Sequence, residues 1–391
     1  MRRTHILAIV ACVGAVLPAA AGAQTVVGAP SSSTPASPSI DFTNAKPVPG
    51  REAKSPAAAQ SAADTAAARQ LSSAPSAVPG AAPSAGGSSV SVPVQLAPAI
   101  NLNKATGSGL SPNSVTPQQM GTALQPFTTS RVDAYLDATH NQHMQYYYPY
   151  AAAGKLFFKI GSTSYLCSAS LIKPGVIVTA AHCVANYGQS QFYNSWTFAP
   201  AYYNGTAPYG TFTARAAYVP SKYYNGTDNC AQSGVVCPDD VAVIVLNKNA
   251  QNKLPGTLTG YFGYGYNGWG FNSSGQTLIN QIGYPVALDG GVMEERNDSQ
   301  GYVSSGYSNN TVIGSLETGG SSGGPWLNNL GYPPVLNGVS YGTYSSANVV
   351  VGVTSWGYND ATVKQQGAAP FTSNNIVPLL STACAAYATY C

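Results

Sequence analysis

Apolar residues along this chain come in short runs. Leu156 to Ile160, Val176 to Thr179, Val241 to Leu246, Val335 to Val339 and Val349 to Thr354 are each bounded by Gly, Asn or Pro. Runs this short, rich in β-branched residues and closely spaced, predict strands of an all-β barrel or sandwich. One stretch near the end, Asn374 to Tyr387, reads instead as a helix, with Ser373 as its N-cap. Pro378 interrupts that stretch, and a proline past the first turn would kink it.

The pattern is not uniform. Residues 24–129 hold 14 Pro and 8 Gly but only two aromatics, Phe42 and Phe127. All 26 Tyr and all four Trp lie beyond residue 134. A segment so poor in apolar bulk does not offset the entropy of ordering it. Residues 24–130 are therefore expected to be a disordered pro-region or linker ahead of a folded domain at 131–391. A folded pro-domain would need a core that this stretch lacks.

The first residues add a compartment. Met1 to His5 is a cationic start, Ile6 to Ala20 is apolar, and Ala21-Gly22-Ala23 is a small-residue cleavage pattern. Residues 1–23 read as a secretory signal peptide, cut before Gln24, since about 15 apolar residues are few for a membrane span. Cys12 leaves with it. Six cysteines remain, an even number in an exported chain, and zinc-type spacing is absent. Proximity favours Cys167–Cys183, Cys230–Cys237 and Cys384–Cys391.

Charge changes the picture mainly by exclusion. Lys and Arg number 17, Asp and Glu 14, together 8% of the chain, against roughly 25% in an ordinary domain. No basic run is present, which argues against nucleic acid as a partner. Residues 131–391 carry 10 basic and 11 acidic groups. A nearly neutral domain of this kind is expected to depend little on salt and pH.

Three segments carry candidate chemistry. His182 follows the apolar run Val176 to Ala181, where an imidazole poised near neutrality suits a general base. His5 lies in the signal, and His140 and His143 sit in a polar stretch. Asp239-Asp240 precedes the apolar run from Val241, where a carboxylate is fixed at a strand edge. Gly319-Gly320-Ser321-Ser322-Gly323-Gly324-Pro325 is a turn whose glycines permit the backbone angles of an oxyanion hole. Taken singly, each has a bland reading as a surface histidine, a solvated turn or a loop.

Together they are specific. The segment from Cys167 to Cys183, ending Thr-Ala-Ala-His-Cys, resembles the histidine segment of the chymotrypsin/trypsin serine protease family. Asp240-Val-Ala-Val resembles that family's aspartate strand, and Gly320-Ser-Ser322-Gly-Gly-Pro its serine loop. Ser355-Trp356-Gly357 resembles the segment that pairs with substrate backbone. The order His, Asp, Ser is also the family's. The resemblance covers roughly residues 150–380. It implies two six-stranded antiparallel barrels with the site between them, followed by a short C-terminal helix. It also implies a secreted serine endopeptidase, monomeric and without cofactor or metal, acting on proteins or peptides through an acyl-enzyme. Ser322 would be the nucleophile, His182 the general base and Asp240 its orienting partner. The amides of Gly320 and Ser322 would form the oxyanion hole, and the Ser355 hydroxyl would support Asp240.

Departures narrow the reading. Ser321 stands where trypsin-like enzymes carry the aspartate that receives a freed N-terminal amine, so the usual zymogen switch is not expected. Gly283-Tyr284-Pro285 and Ser322 to Trp326 are similar to segments of bacterial glutamyl endopeptidases. Thr354, however, replaces the histidine of their pocket wall. Leu316 and Glu317 lead into the serine loop and are candidate pocket residues with Thr354, Ser355, Trp356 and Gly357. Glu317 would favour a basic side chain, unless it bonds nearby backbone. An exported Tyr-rich binding or adhesive protein on a protease scaffold is the alternative, although such proteins usually lose a catalytic residue and none is lost here. A periplasmic quality-control protease would carry a C-terminal peptide-binding domain, for which the chain leaves no room after its last helix.

Overall fold

The computed structural model describes residues 24–29, 45–49, 52–53, 76–81, 126–132, 143–331, 344–358 and 363–391. The signal segment, His140 and the run Val335 to Val339 lie outside the described residues.

The first barrel is built from β1 (Ala153–Ile160), β2 (Thr163–Lys173), β3 (Val176–Thr179), β4 (Asn194–Pro200), β5 (Phe212–Pro220) and β6 (Ala242–Leu246). Its strands pair in the order β5-β4-β1-β2-β3-β6, and β6 pairs back onto β5 to close it. The second barrel uses β7 (Gln276–Gly283), β8 (Glu295–Ser304), β9 (Asn310–Gly314), β10 (Pro325–Asn328), β11 (Val349–Tyr358) and β12 (Gln365–Pro370). Here the order is β10-β7-β8-β9-β12-β11, with β11 closing onto β10. The two closed antiparallel barrels expected from the resemblance are both present.

The apolar runs explain why these segments become barrel strands. Every residue of β3 and β6 is buried, and the two pair from Val176↔Val245 to Thr179↔Ala242. A fully buried Val, Leu or Ile side chain contributes about 1.5–3 kcal/mol. Closure pairs the first and last strands of each sheet with one another. Leu327, Val350 and Val353 of the second barrel join the same core as Val178 and Ile244 of the first. The face between the barrels is therefore fixed by packing.

The C-terminal helix α1 (Ile376–Ala386) is capped by Asn375, not Ser373. The Asn375 side chain accepts from the Ile376 amide at 2.6 Å and from the Thr372 amide at 2.8 Å. Pro378 then falls at the third helical position, where its missing N–H leaves no helical bond unmade. No kink follows. The disulfides join Cys167 to Cys183, Cys230 to Cys237 and Cys384 to Cys391. No helix of the described residues is long and apolar enough to cross a membrane.

Within 24–130, the described residues are short pieces that pair with the barrels. Val26–Gly28 adds antiparallel to β5, and Lys46–Pro47 adds parallel to β2. Glu52–Ala53 adds parallel to β11, and Ser76–Val78 pairs with Gly263–Tyr266 beside the second barrel. Phe127–Arg131 adds antiparallel to β8 and so runs across the expected 130/131 boundary. Composition argues against a core of this region's own. It misses that short pieces of chain gain order by pairing with a preformed sheet edge, where the other strand has already been ordered.

Candidate active site

His182 lies just past the end of β3, in a single helical turn, Ala181–Cys183. The Cys167–Cys183 disulfide ties that turn to β2. Asp240 immediately precedes Val241 and β6, the neighbour of β3, so strand pairing brings the two side chains together. The Asp240 carboxylate is fully buried and accepts three hydrogen bonds. His182 Nδ1 donates to Oδ2 at 2.8 Å, and the His182 backbone amide donates to Oδ1 at 2.9 Å. The Ser355 hydroxyl, from β11 of the other barrel, donates to Oδ2 at 2.5 Å. Nδ1 is thereby the protonated nitrogen of the neutral ring, and Nε2 is the one able to take a proton. Asp239 does not share this arrangement.

Ser322 sits in the loop before β10. Its carbonyl accepts from the Ser168 amide of β2 at 2.7 Å, which ties the loop to the strand that carries Cys167. The amides of Ser321, Gly323 and Gly324 donate to Thr318, Thr354 and Ser321 carbonyls. Among the described residues, the loop's own bonds use neither the Gly320 nor the Ser322 amide. Two glycines make the loop possible. Gly320 has φ +103°, and a Cβ there would lie 2.5 Å from the Tyr284 carbonyl. Gly323 has φ +78°, and a Cβ there would lie 2.0 Å from Thr179 Oγ1. No other residue fits either place.

Neutral bonds hold this loop where the aspartate–amine pair would otherwise act. Ser321 Oγ donates to the Thr318 carbonyl at 2.7 Å and accepts from Gln366 Nε2 at 3.2 Å. Ser168 Oγ donates to the Gly320 carbonyl at 2.9 Å and accepts from the Tyr284 amide at 3.0 Å. The Gly283-Tyr284-Pro285 motif thus has a structural task beneath the serine loop.

A cavity of about 520 Å³ opens beside Ser322. Its lining includes Leu316, Glu317, Thr318, Thr354, Trp356 and Gly357, together with Lys364, Gln365 and Gln366 of the β12 side. Ser355 is not in that lining; its hydroxyl faces Asp240. Thr354 and Trp356 are committed below the surface. Thr354 Oγ1 accepts from Trp326 Nε1 at 2.8 Å and Gln281 Nε2 at 3.1 Å, and Trp356 Nε1 donates to Asn310 Oδ1 at 2.8 Å. Gln281 also bonds Gln366 and Ser315, which makes an amide floor under the pocket.

Glu317 behaves differently from the sequence expectation. Both carboxyl oxygens are closed to solvent, and a Cβ on Gly283 would lie 2.6 Å from Oε2. Burial first, and then the Glu295 charge, push its pKa well above the usual carboxyl range, opposed in part by the Ser321 hydroxyl. Burial thus disfavours the charged form that would attract a basic side chain. Among the described residues, Lys364 is the one cation of the lining, and no motif in the sequence marks it. Its only sequence signal is the scarcity of such residues: 10 Lys and Arg in 131–391.

Burial also raises other carboxyls. Behind Asp240, Asp228 is pushed up to about 7 by burial and then by the Asp239 charge. Asp239 is raised by burial, against the opposing bond from Gln24 Nε2 at 3.0 Å. Glu295 is pushed up to about 8 by burial, and burial also raises Glu294 well above the usual carboxyl range. These raised carboxyls predict a pH dependence that the low net charge alone does not.

Two further clusters group ligand-type side chains: Cys167, His182 and Cys183, and Asp228, Cys230 and Cys237. In both, the sulfurs are joined in a disulfide and are not thiolates. His143 is buried against Tyr203, ring centroids 4.1 Å apart, and takes no part in the site.

The sequence model of the family described as "Trypsin" matches residues 142–377. The chain belongs to the trypsin family. Both barrels and all three candidate segments fall inside that match. A glutamyl endopeptidase of Bacillus licheniformis is 30% identical over 139 residues, 35% of this chain and 37% of the relative. An extracellular metalloprotease of Bacillus subtilis is 32% identical over 120 residues, 30% of this chain and 34% of the relative. The aligned stretches thus span little more than a third of these relatives' lengths. Among solved structures, protease Anisep from Arthrobacter nicotinovorans is 26% identical, with a TM-score of 0.47 over 60% of this chain and 96% of that one. A Glu endopeptidase bound to MPD is 21% identical, with a TM-score of 0.42 over 66% of this chain and 96% of that one.

Proposed function

We propose that this trypsin-family chain is a secreted serine endopeptidase that works through Ser322, His182 and Asp240. The observation that carries the reading is the pair of bonds from His182, backbone amide and Nδ1, to the two oxygens of one buried carboxylate. That pair fixes both the tautomer and the ring orientation. As Ser322 Oγ attacks the scissile carbonyl carbon, His182 Nε2 takes its proton. The carbonyl oxygen becomes an oxyanion held by the Gly320 and Ser322 amides. His182 then gives the proton to the leaving amine, the C–N bond breaks and an acyl-enzyme remains. Water, activated by the same nitrogen, releases it. The acyl half of the substrate lies along the β11 edge at Ser355–Gly357, with its last side chain in the cavity.

The charges around that cavity support a choice of side chain. With the Glu317 charge disfavoured by burial and Lys364 in the lining, a basic residue before the cut bond meets repulsion and a weakened counterion. Cleavage after Arg or Lys is expected to be at least about tenfold slower than after uncharged or acidic residues, equivalent to about 1.4 kcal/mol. Profiling on a peptide library measures this, and preferred cleavage after Arg or Lys would contradict it. The protease reading itself is tested by hydrolysis of a denatured protein by the purified chain. Ser322→Ala should abolish turnover, and turnover unchanged by that substitution would sink the reading.

A further inference from the structure

The cleft beside Ser322 holds a piece of the chain itself. Lys46–Pro47 runs parallel to β2, with Lys46 opposite Tyr165 and Pro47 opposite Leu166. Pro47 packs on the serine loop, where a Cβ built on Gly319 would meet its Cβ at 3.0 Å. Val48 comes next and shares the lining of the 520 Å³ cavity with Ser322. Glu52–Ala53 then adds parallel to β11, Glu52 opposite Gly357 and Ala53 opposite Tyr358. One short stretch thus touches the strand edge on either side of the candidate nucleophile and stands at the pocket between them.

Its direction matters. The acyl half of a substrate must run toward the cut bond, from Gly357 back toward Ser355, and is therefore antiparallel to β11. Residues 52–53 run parallel to β11. The stretch enters beside β2, passes Val48 and leaves beside β11, the reverse of substrate. On the reading of Ser322 as the nucleophile, we propose that residues 45–49 and 52–53 form an autoinhibitory strap that lies across the substrate cleft backwards. A reversed strand covers the subsites without presenting a carbonyl in the attack geometry that nucleophile and oxyanion donors share. Pro47 and Pro49 on either side of Val48 hold φ near one value, which lowers the entropy of docking. Because the strap is tethered, its effective concentration is on the order of millimolar, so even a weak docking segment blocks the cleft until it is cut away.

The test uses the exported chain, residues 24–391, intact and after limited proteolysis that removes the strap, with V48D as the variant. Fluorophosphonate labelling of the intact wild type is expected to be at least about tenfold slower than that of V48D or of the processed enzyme. A synthetic peptide of residues 44–54 should raise KM of the processed enzyme without changing kcat, and should be recovered uncut. Equal labelling of intact, V48D and processed forms would overturn the strap alone. So would a peptide that leaves KM unchanged or is itself cleaved. If no form labels at Ser322, the protease reading falls and the strap with it.

Discussion

Asp240→Asn is expected to lower kcat by about 10⁴-fold with KM nearly unchanged. The carboxylate accepts from His182 Nδ1, the His182 amide and Ser355 Oγ. An asparagine keeps the shape and one carbonyl acceptor, so the fold survives. Its amide group, placed opposite Nδ1, donates instead of accepting. The ring proton is then driven to Nε2, the nitrogen that must receive the Ser322 proton. The imidazolium formed on attack also loses its counterion in a buried site. Steady-state kinetics and a melting curve on the same preparation check this. A loss below about tenfold, with the fold intact, would show that Asp240 does not orient the base.

Stability is expected to fall by several kcal/mol as pH rises from about 4 to 8. The buried carboxyls set the sign. Asp228 and Glu295 titrate near 7 and near 8 in the folded protein, and Asp239, Glu294 and Glu317 are also raised by burial. In the unfolded chain all five ionise near 4. Below that pH both states are protonated and the groups contribute no difference. Between 4 and 8 the unfolded chain releases protons that the folded one retains, so each unit of pH favours unfolding. The Asp289 carboxyl, held low by Arg131, acts in the opposite sense but is a single group near the surface. Lys155, lowered to about 8 by burial, acts only above that value, where it makes stability rise with pH. Denaturant midpoints of the Ser322→Ala form, free of autolysis, should be highest near pH 4 and fall toward pH 8. Glu317→Gln should flatten the curve. A midpoint that is constant or rises over this range would contradict the assignment of these carboxyls as buried and protonated.

The site was legible where its chemistry is written in contiguous residues. Thr179 to Cys183, Asp240 to Val243 and Gly320 to Pro325 each carry a motif whose backbone needs are local, as the φ of +103° at Gly320 and +78° at Gly323 illustrate. The barrels were legible for a related reason, since runs such as Val241 to Leu246 have no polar face to leave exposed. What stayed hidden depends on tertiary placement. Glu317 reads as a charged pocket residue and is shut beneath Gly283 instead. Lys364 enters the lining only through the pairing of β12 with β11. Residues 46–47 and 52–53 look structureless by composition because their order comes from edges supplied by β2 and β11. Ser373 and Asn375 are both good caps by residue type, and only the chain's path after Pro370 selects the second.

The most direct measurement is the site of covalent labelling. A fluorophosphonate should add one equivalent to the processed enzyme, and peptide mass spectrometry should place the adduct on Ser322. Labelling should be lost in Ser322→Ala and slowed strongly in His182→Ala. An adduct on another residue, or a processed enzyme that hydrolyses protein while Ser322 stays unmodified, would contradict the account.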